Sequence, residues 1–247
     1  MRTLKELLDV ESSWPVVQEL IGKAVNKVNC LPVKKEDAEE SLLALDQSVA
    51  SLMGAITYKT GGILVDDGWL RILGGTCEKL SRNIANWNLT RSHETGEEPG
   101  FLMVADDILG GIFAINGNFF GPDAGMMYYL APDTLEWEGL EVNFHDFLSF
   151  VFTGDLEGFY SGLRWEGWHE DIAGGSADDA FAFDPPLWDT EAGDISARKR
   201  AKIPMDEMFD LLLEMNNLMI SEEDDDGSCG CGEEDCGCTE EDRNSDN

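Results

Sequence analysis

The sequence predicts an α+β fold with N-terminal helices, a central and mostly antiparallel sheet, and C-terminal helices. Three features carry that expectation. Apolar residues recur at helical spacing near both ends of the chain. Glycine-rich turns separate short β-branched and aromatic runs in the middle. Composition then breaks sharply near residue 221. Residues 1–220 read as a single globular domain and 221–247 as a disordered, acidic, cysteine-containing tail.

Ser13 is placed to cap a helix whose first turn holds Pro15, where a missing N–H costs little. Val16, Val17, Leu20, Ile21, Ala24, Val25 and Val28 follow at helical spacing. A second helix is expected from about 35 to 51, with Leu42, Leu43, Leu45 and Val49 on its apolar face. Its acids Glu36, Asp37, Glu39 and Glu40 gather at the end where the helix dipole favours them. Runs 55–58, 62–65 and 69–73 predict short strands, parted by Lys59-Thr60-Gly61 and Asp66-Asp67-Gly68 turns. A short helix and then an exposed loop holding His93 are expected over 78–99.

Strands are predicted at 101–105, 111–116, 126–131 and 134–138, with Asp106-Asp107 opening a bend. Short polar turns and no intervening long helix make this an antiparallel meander. Helices return over 145–153, 156–163 and 165–173. A strand at 181–183 ends at Pro185-Pro186. Arg198-Lys199-Arg200-Ala201-Lys202 is a basic cluster, and Pro204 opens a last helix over 205–218.

The chain holds 50 Asp and Glu against 17 Lys and Arg, a formal charge of −33. The tail carries 12 acids and one base, so −22 belongs to the body and −11 to the tail. Such a surface argues against nucleic acid, whose phosphates need Lys and Arg, and against an anionic membrane. It suits a basic protein partner, because complementary fields speed encounter. No signal-peptide core opens the chain and no apolar window reaches membrane-spanning length, so the expected location is the cytoplasm. Cys30 and Cys77 read there as unpaired, small buried hydrophobes.

No phosphate-binding loop, dinucleotide fingerprint, nucleophile elbow or His-Glu-x-x-His motif occurs. A Cys77–His169 catalytic pair is weighed and set below a structural role for both. Asp106-Asp107 ends an apolar strand before Gly110-Gly111 and reads either as an acid/base or metal pair, or as aspartates bonding their own turn; we favour the second. Trp69 and Arg71 alternate on a short strand. An Arg beside an indole suits a carboxylate partner, and an internal ion pair is the preferred alternative. Trp165, Trp168 and His169 fit a packed helix face.

In the tail, Cys229, Cys231, Cys236 and Cys238 form C-x-C-x₄-C-x-C. Four thiolates so close suit tetrahedral zinc or copper(I), and the alternative is free thiols. The acids around them attract cations but also raise the thiol pKa. No cofactor is expected for the domain itself.

The run from Thr60 to Gly74, the run Val104-Ala105-Asp106-Asp107-Ile108-Leu109-Gly110-Gly111-Ile112-Phe113-Ala114-Ile115-Asn116-Gly117, and Tyr128 to Trp137 resemble a bacterial family known as domain of unknown function 2625. Phe159 to Trp165 with Trp168, and Ile203-Pro204-Met205, fit as well. The resemblance spans about 3–218 and leaves out the tail. No activity attaches to that family, so it implies no catalytic residue. Strand 111–117, the next strand and the helix holding Phe144, Phe147 and Leu148 are in turn similar in order to the SUKH (Smi1/Knr4-like) superfamily. That similarity implies an immunity-protein role. The expectation is a non-enzymatic protein-binding domain, with Trp69, Arg71, Asp106 and Asp107 as its binding candidates. The alternatives are an enzyme centred on those four residues, or a metal-binding protein through the tail.

Overall fold

A computed structural model describes residues 1–89 and 100–226, the side chains of 217–226 excepted. In chain order the N-terminal part supplies helices α1 (Leu4–Leu8) and α2 (Trp14–Gly22), strand β1 (Val28–Leu31), and helices α3 (Lys35–Ala44) and α4 (Leu52–Lys59). Strands β2 (Gly62–Val65) and β3 (Leu70–Leu73), helix α5 (Ile84–Leu89), and strands β4 (Phe101–Asp107), β5 (Ile112–Asn116), β6 (Met126–Leu130) and β7 (Trp137–Asn143) follow. Helices α6 (Phe144–Thr153), α7 (Leu156–Phe159) and α8 (Trp168–Ile172), the hairpin β8 (Asp179–Asp184) and β9 (Lys199–Pro204), and α9 (Met205–Asp226) complete the order. The α+β architecture matches the expectation.

Strands β1 to β7 form one antiparallel sheet in sequence order. Every residue of β2 and β3 is buried, so β2 reads as a continuous apolar run instead of an alternating one and β3 departs from one only at the buried Arg71. The β2–β3 turn uses Asp66, Asp67 and Gly68, all at positive φ. Aspartate tolerates that region better than most residues. At the β4–β5 turn Gly110 has φ +98° and packs against Met208 of α9, leaving no space for a side chain.

Each face of the sheet has its own cover. Phe113 on β5 meets Phe147 of α6 at 5.0 Å on one face. On the other, Asn88 of α5 both donates to and accepts from the backbone of Met103, at 2.8 Å each. Trp87 meets Phe209 of α9 at 5.6 Å on that side. The β8–β9 hairpin joins this second layer, where Phe181 N–H donates to the Ile108 carbonyl.

Several expected elements differ. Residues 55–58, expected as a strand, lie in α4. Ser51 caps that helix by accepting from Gly54 N–H at 3.0 Å. The bare Cα of Gly54 lies so close to the Ser48 carbonyl that a Cβ would clash with it. Tertiary contact overrides the β-like composition there. The helix expected to reach Val28 stops at Gly22, and the Asn26 side chain donates to the carbonyls of Val151 and Gly154. That turn sends Val28–Leu31 into the sheet as β1, leaving Cys30 exposed, not buried. The 35–51 helix ends at Ala44. The strand placed at 134–138 runs instead over Trp137–Asn143, after a turn in which buried Leu135 takes positive φ. The basic cluster, given no structure from sequence, largely forms β9. The expected His93 loop lies outside the described residues.

Gly74 sits where a Cβ would meet three backbone atoms within 3.0 Å, whereas Gly22 has open space around it. Gly74→Ala is expected to cost about 3 kcal/mol or more, since backbone must move. Gly22→Ala, at a helix end with ordinary φ, is expected to be neutral or stabilising by roughly 0.5–1 kcal/mol. Urea unfolding of both variants checks the pair; equal stabilities would contradict the packing described.

Candidate functional site

Cross-strand register brings two of the four candidates face to face: Arg71 on β3 lies directly opposite Asp106 on β4. The Arg71 Nε donates to Asp106 Oδ1 at 2.5 Å, with both side chains fully buried. Its Nη2 donates to the Asp107 carbonyl at 2.7 Å and its Nη1 to the Asp179 carbonyl on β8. The second oxygen of Asp106 accepts from Arg82 Nη1. Arg82 also donates to Asp178 Oδ1 at 3.1 Å and to the Ala177 carbonyl at 3.0 Å. One buried carboxylate therefore sits between two guanidinium groups. Burial opposes the Arg82 charge, but Asp106 and Asp178 outweigh it and hold that group above its ordinary pKa. Burial pushes the Asp178 carboxyl up as well. Bonds from Ser81 and the Arg82 charge then bring it below the usual aspartate value.

Asp107 is the next residue on the strand and projects to the opposite face. Its Oδ1 accepts from the N–H groups of Leu109 and Gly111, both at 2.9 Å, which closes the β4–β5 turn. The favoured reading of a turn-forming aspartate holds for this half of the pair. Its Oδ2 accepts from the hydroxyls of Tyr129 at 2.7 Å and Tyr160 at 3.2 Å. Burial pushes the Asp107 carboxyl up, against the Tyr129 bond, the two amides and the Arg71 charge, which pull it down. Burial, with Asp107 alongside, lifts both phenols well above their ordinary value, so they remain donors.

Trp69 is fully buried and precedes β3 in a helical backbone conformation, so it does not alternate with Arg71 as expected. The guanidinium over its indole is that of Arg164, 4.8 Å from the ring centroid and 4.7 Å from Trp168. Tyr160, Trp165 and Trp168 surround the indole at 5.4, 5.5 and 4.9 Å. Arg164 donates to Asp66 and Glu157, each at 2.6 Å. The Trp69 Nε1 is buried without a hydrogen-bond partner. His169 stacks on Trp168 and lies 3.6 Å from Asp67, making no hydrogen bond with Cys77.

Residues 4–208 match the model of a family described as "Protein of unknown function DUF2625". The chain belongs to that family. It is 41% identical over 216 residues to the uncharacterized protein YbfG of Escherichia coli (strain K12), covering 87% of this chain and 97% of that one. It is 40% identical over 189 residues to an uncharacterized protein of Haemophilus influenzae, covering 76% and 83% respectively. The DUF2625 match ends before the cysteine motif, and Cys229, Cys231, Cys236 and Cys238 lie outside the described residues. Among the described residues no group of three or more His, Cys, Asp or Glu is placed to hold a metal.

The four candidates thus divide. Arg71, Asp106 and Asp107 form a buried polar network with Arg82, Asp178, Tyr129 and Tyr160, while Trp69 belongs to an aromatic cluster around Arg164. Arg82 and Arg164 escaped sequence reasoning because each comes from a segment between strands, where no periodicity assigns a direction. The one available signal was the scarcity of bases in this acidic chain. An acid or base must reach its substrate within hydrogen-bond distance. Here the carboxylate oxygens are already occupied by protein donors.

Asp106→Asn removes the charge shared by two buried guanidinium groups, leaving Arg71 without a carboxylate partner and Arg82 with Asp178 alone. Arg71→Met leaves the Asp106–Arg82 pair in place. Both are expected to destabilise, by roughly 3–5 kcal/mol for the loss of a buried partner, with Asp106→Asn the worse. Urea denaturation ranks them; the reverse order would overturn the assignment of Asp106 as the shared counter-ion.

Proposed function

We propose that the chain is a non-enzymatic protein-binding module that recruits a basic partner through an acidic body. The observation that carries this reading is an aromatic face built from the start of β4, the β5–β6 connection, β6 and β7. Phe101, Phe119, Phe120, Tyr128 and Trp137 form a continuous cluster, with Phe101 5.2 Å from both Phe119 and Phe120. Phe120 lies 4.5 Å from Tyr128 and 4.6 Å from Trp137. Phe119, at the tip of the β5–β6 hairpin, is 66% exposed. The other four rings are half-buried, so the cluster reaches solvent most fully at Phe119. Apolar surface of this kind marks interaction sites, and Tyr and Trp are prominent among interface hot spots. Asp123 anchors the same hairpin by accepting from Tyr128 and Asn116.

The charge supports a basic partner at this place. Residues 101–197 hold 19 Asp and Glu and a single base, Arg164, which is largely buried against Trp69 and Trp168. The segment that carries the rings is therefore the most one-sided part of the body. The similarity to SUKH proteins extends this proposal to an immunity-like role, in which the partner is a basic toxin. The cytoplasmic location, and the absence of nucleic-acid and membrane partners, belong to the same proposal. No helix among the described residues is long and apolar enough to cross a membrane. The enzyme alternative needs free polar atoms on Asp106, Asp107 and Arg71, whereas the protein's own groups already engage them.

Affinity capture from native lysate at low and high salt tests this reading. A basic protein retained at low salt and released by about 0.5 M NaCl, where the screening length falls to a few ångströms, is the expected result. Phe119→Ser should weaken that complex at least tenfold without loss of stability. A complex indifferent to both salt and Phe119→Ser would overturn it.

We propose separately that the tail cysteines hold zinc or copper(I). Metal analysis of the full chain against a 227–247 deletion should show about one ion per chain lost with the tail. Equal metal content in both would sink this idea.

A further inference from the structure

We infer that a cavity between the sheet and the α6–α7 pair is a binding site for a small, uncharged apolar molecule of one or two rings. Its volume is about 230 Å³. An apolar cavity of about 150 Å³ lined by Leu, Ile and Phe stays dry and binds benzene, so this one has room for a ring system somewhat larger. Every lining side chain among the described residues is apolar. Leu70 and Phe113 of the sheet form its floor, Phe147 and Val151 of α6 one wall, and Leu140 and Phe150 its rim. The floor residues are fully buried, whereas Leu140 is half-buried and Phe150 is exposed, so the cavity opens outward past the edge strand β7.

Charge around the rim selects the ligand further. Glu138 and Glu141 on β7, Asp146 on α6 and Glu157 on α7 are exposed, and residues 137–163 contain no Lys or Arg. The Arg164 guanidinium beside Glu157 is already paired with that residue and with Asp66, so an anionic head group such as a fatty-acid carboxylate would meet a net negative rim. The same argument sets aside the chain's own tail, which carries 12 acids, and a second copy of this acidic chain. A neutral apolar molecule meets no such penalty, and covering the cavity removes apolar surface from water. The site lies on the opposite sheet face from the Tyr128 and Trp137 rings, so it is independent of the proposed protein-binding surface.

Titration of the full chain with naphthalene, followed by NMR, tests the proposal, with naphthalene-2-carboxylate as the charged counterpart. Naphthalene should bind saturably at sub-millimolar concentration, with intermolecular NOEs to Leu140 and Phe150, and the carboxylate at least tenfold more weakly. Leu140→Trp, which fills the cavity from its half-buried rim, should abolish naphthalene binding while leaving the circular dichroism spectrum unchanged. Val25→Ser, on an exposed loop, should bind as the parent does. If Leu140→Trp does not fold, the NOEs in the parent protein decide alone. Absent saturation, absent NOEs to the rim, equal affinity for the carboxylate, or full binding by a folded Leu140→Trp would each overturn the site.

Discussion

The fold depends on one carboxylate held between two cations. Asp106 is fully buried, and an ion of that size loses several kcal/mol of hydration when taken from water. Only close, hydrogen-bonded counter-charge offsets such a loss. Arg71 comes from the neighbouring strand, Arg82 from the segment before α5, and each then spends its remaining donors on backbone carbonyls. Those carbonyls belong to the second layer as well as the sheet, at Asp179 and Ala177. The network therefore does more than neutralise itself: it specifies where the β8–β9 hairpin sits over β3 and β4. Arginine suits this task because its planar fork makes several directed bonds at once, which lysine does not.

Asp107 completes the arrangement on the other side of the sheet. Successive side chains on a strand project to opposite faces, so an Asp-Asp dipeptide addresses both layers from a single position. Asp106 reaches toward β8 and α9, while Asp107 reaches Tyr129 and, through Tyr160, the chain just beyond α7. Its other oxygen closes the following turn, where Gly111 allows no side chain because Asp107 and Tyr129 already fill that space. Turn, sheet and both layers are thus coupled within a few residues. That explains why a motif able to serve acid/base chemistry is here enclosed.

The parts of the fold legible in the sequence are those governed by local periodicity. The turns at 66–68 and 117–125, the strands they separate, and the amphipathic helix with Phe144, Phe147, Val151 and Phe152 follow from spacing and turn chemistry alone. Residues 55–58 misled because their composition suits a strand, and only contact with Ser48 and the Ser51 cap decides for a helix. Val28–Leu31 misled because the break at Gly22 is made by Asn26 reaching a helix more than a hundred residues away. At the candidate site, the preference for an internal ion pair at Arg71 was legible from the excess of acids. Its partner was not, because register is a property of two strands together. The cation beside Trp69 was misplaced for a similar reason: Arg164 is distant in sequence, and alternation assumed a strand that begins one residue later.

Arginine placement also shapes the outer surface. Arg71, Arg82 and Arg164 are buried, and together they consume the bases nearest the sheet. What remains outward along β4 to β8 is acidic, with apolar openings of two different kinds. One is a convex cluster of rings ending at Phe119, the other a concave cavity behind Phe150. A convex aromatic patch in an acidic field fits a large partner, which can bring both a pocket and cations. An apolar cavity opening past the edge strand in the same field fits a small neutral guest, because an anion meets like charge on approach and any ion loses its hydration on entering. The same scarcity of surface bases therefore points the two sites toward ligands of different size and polarity.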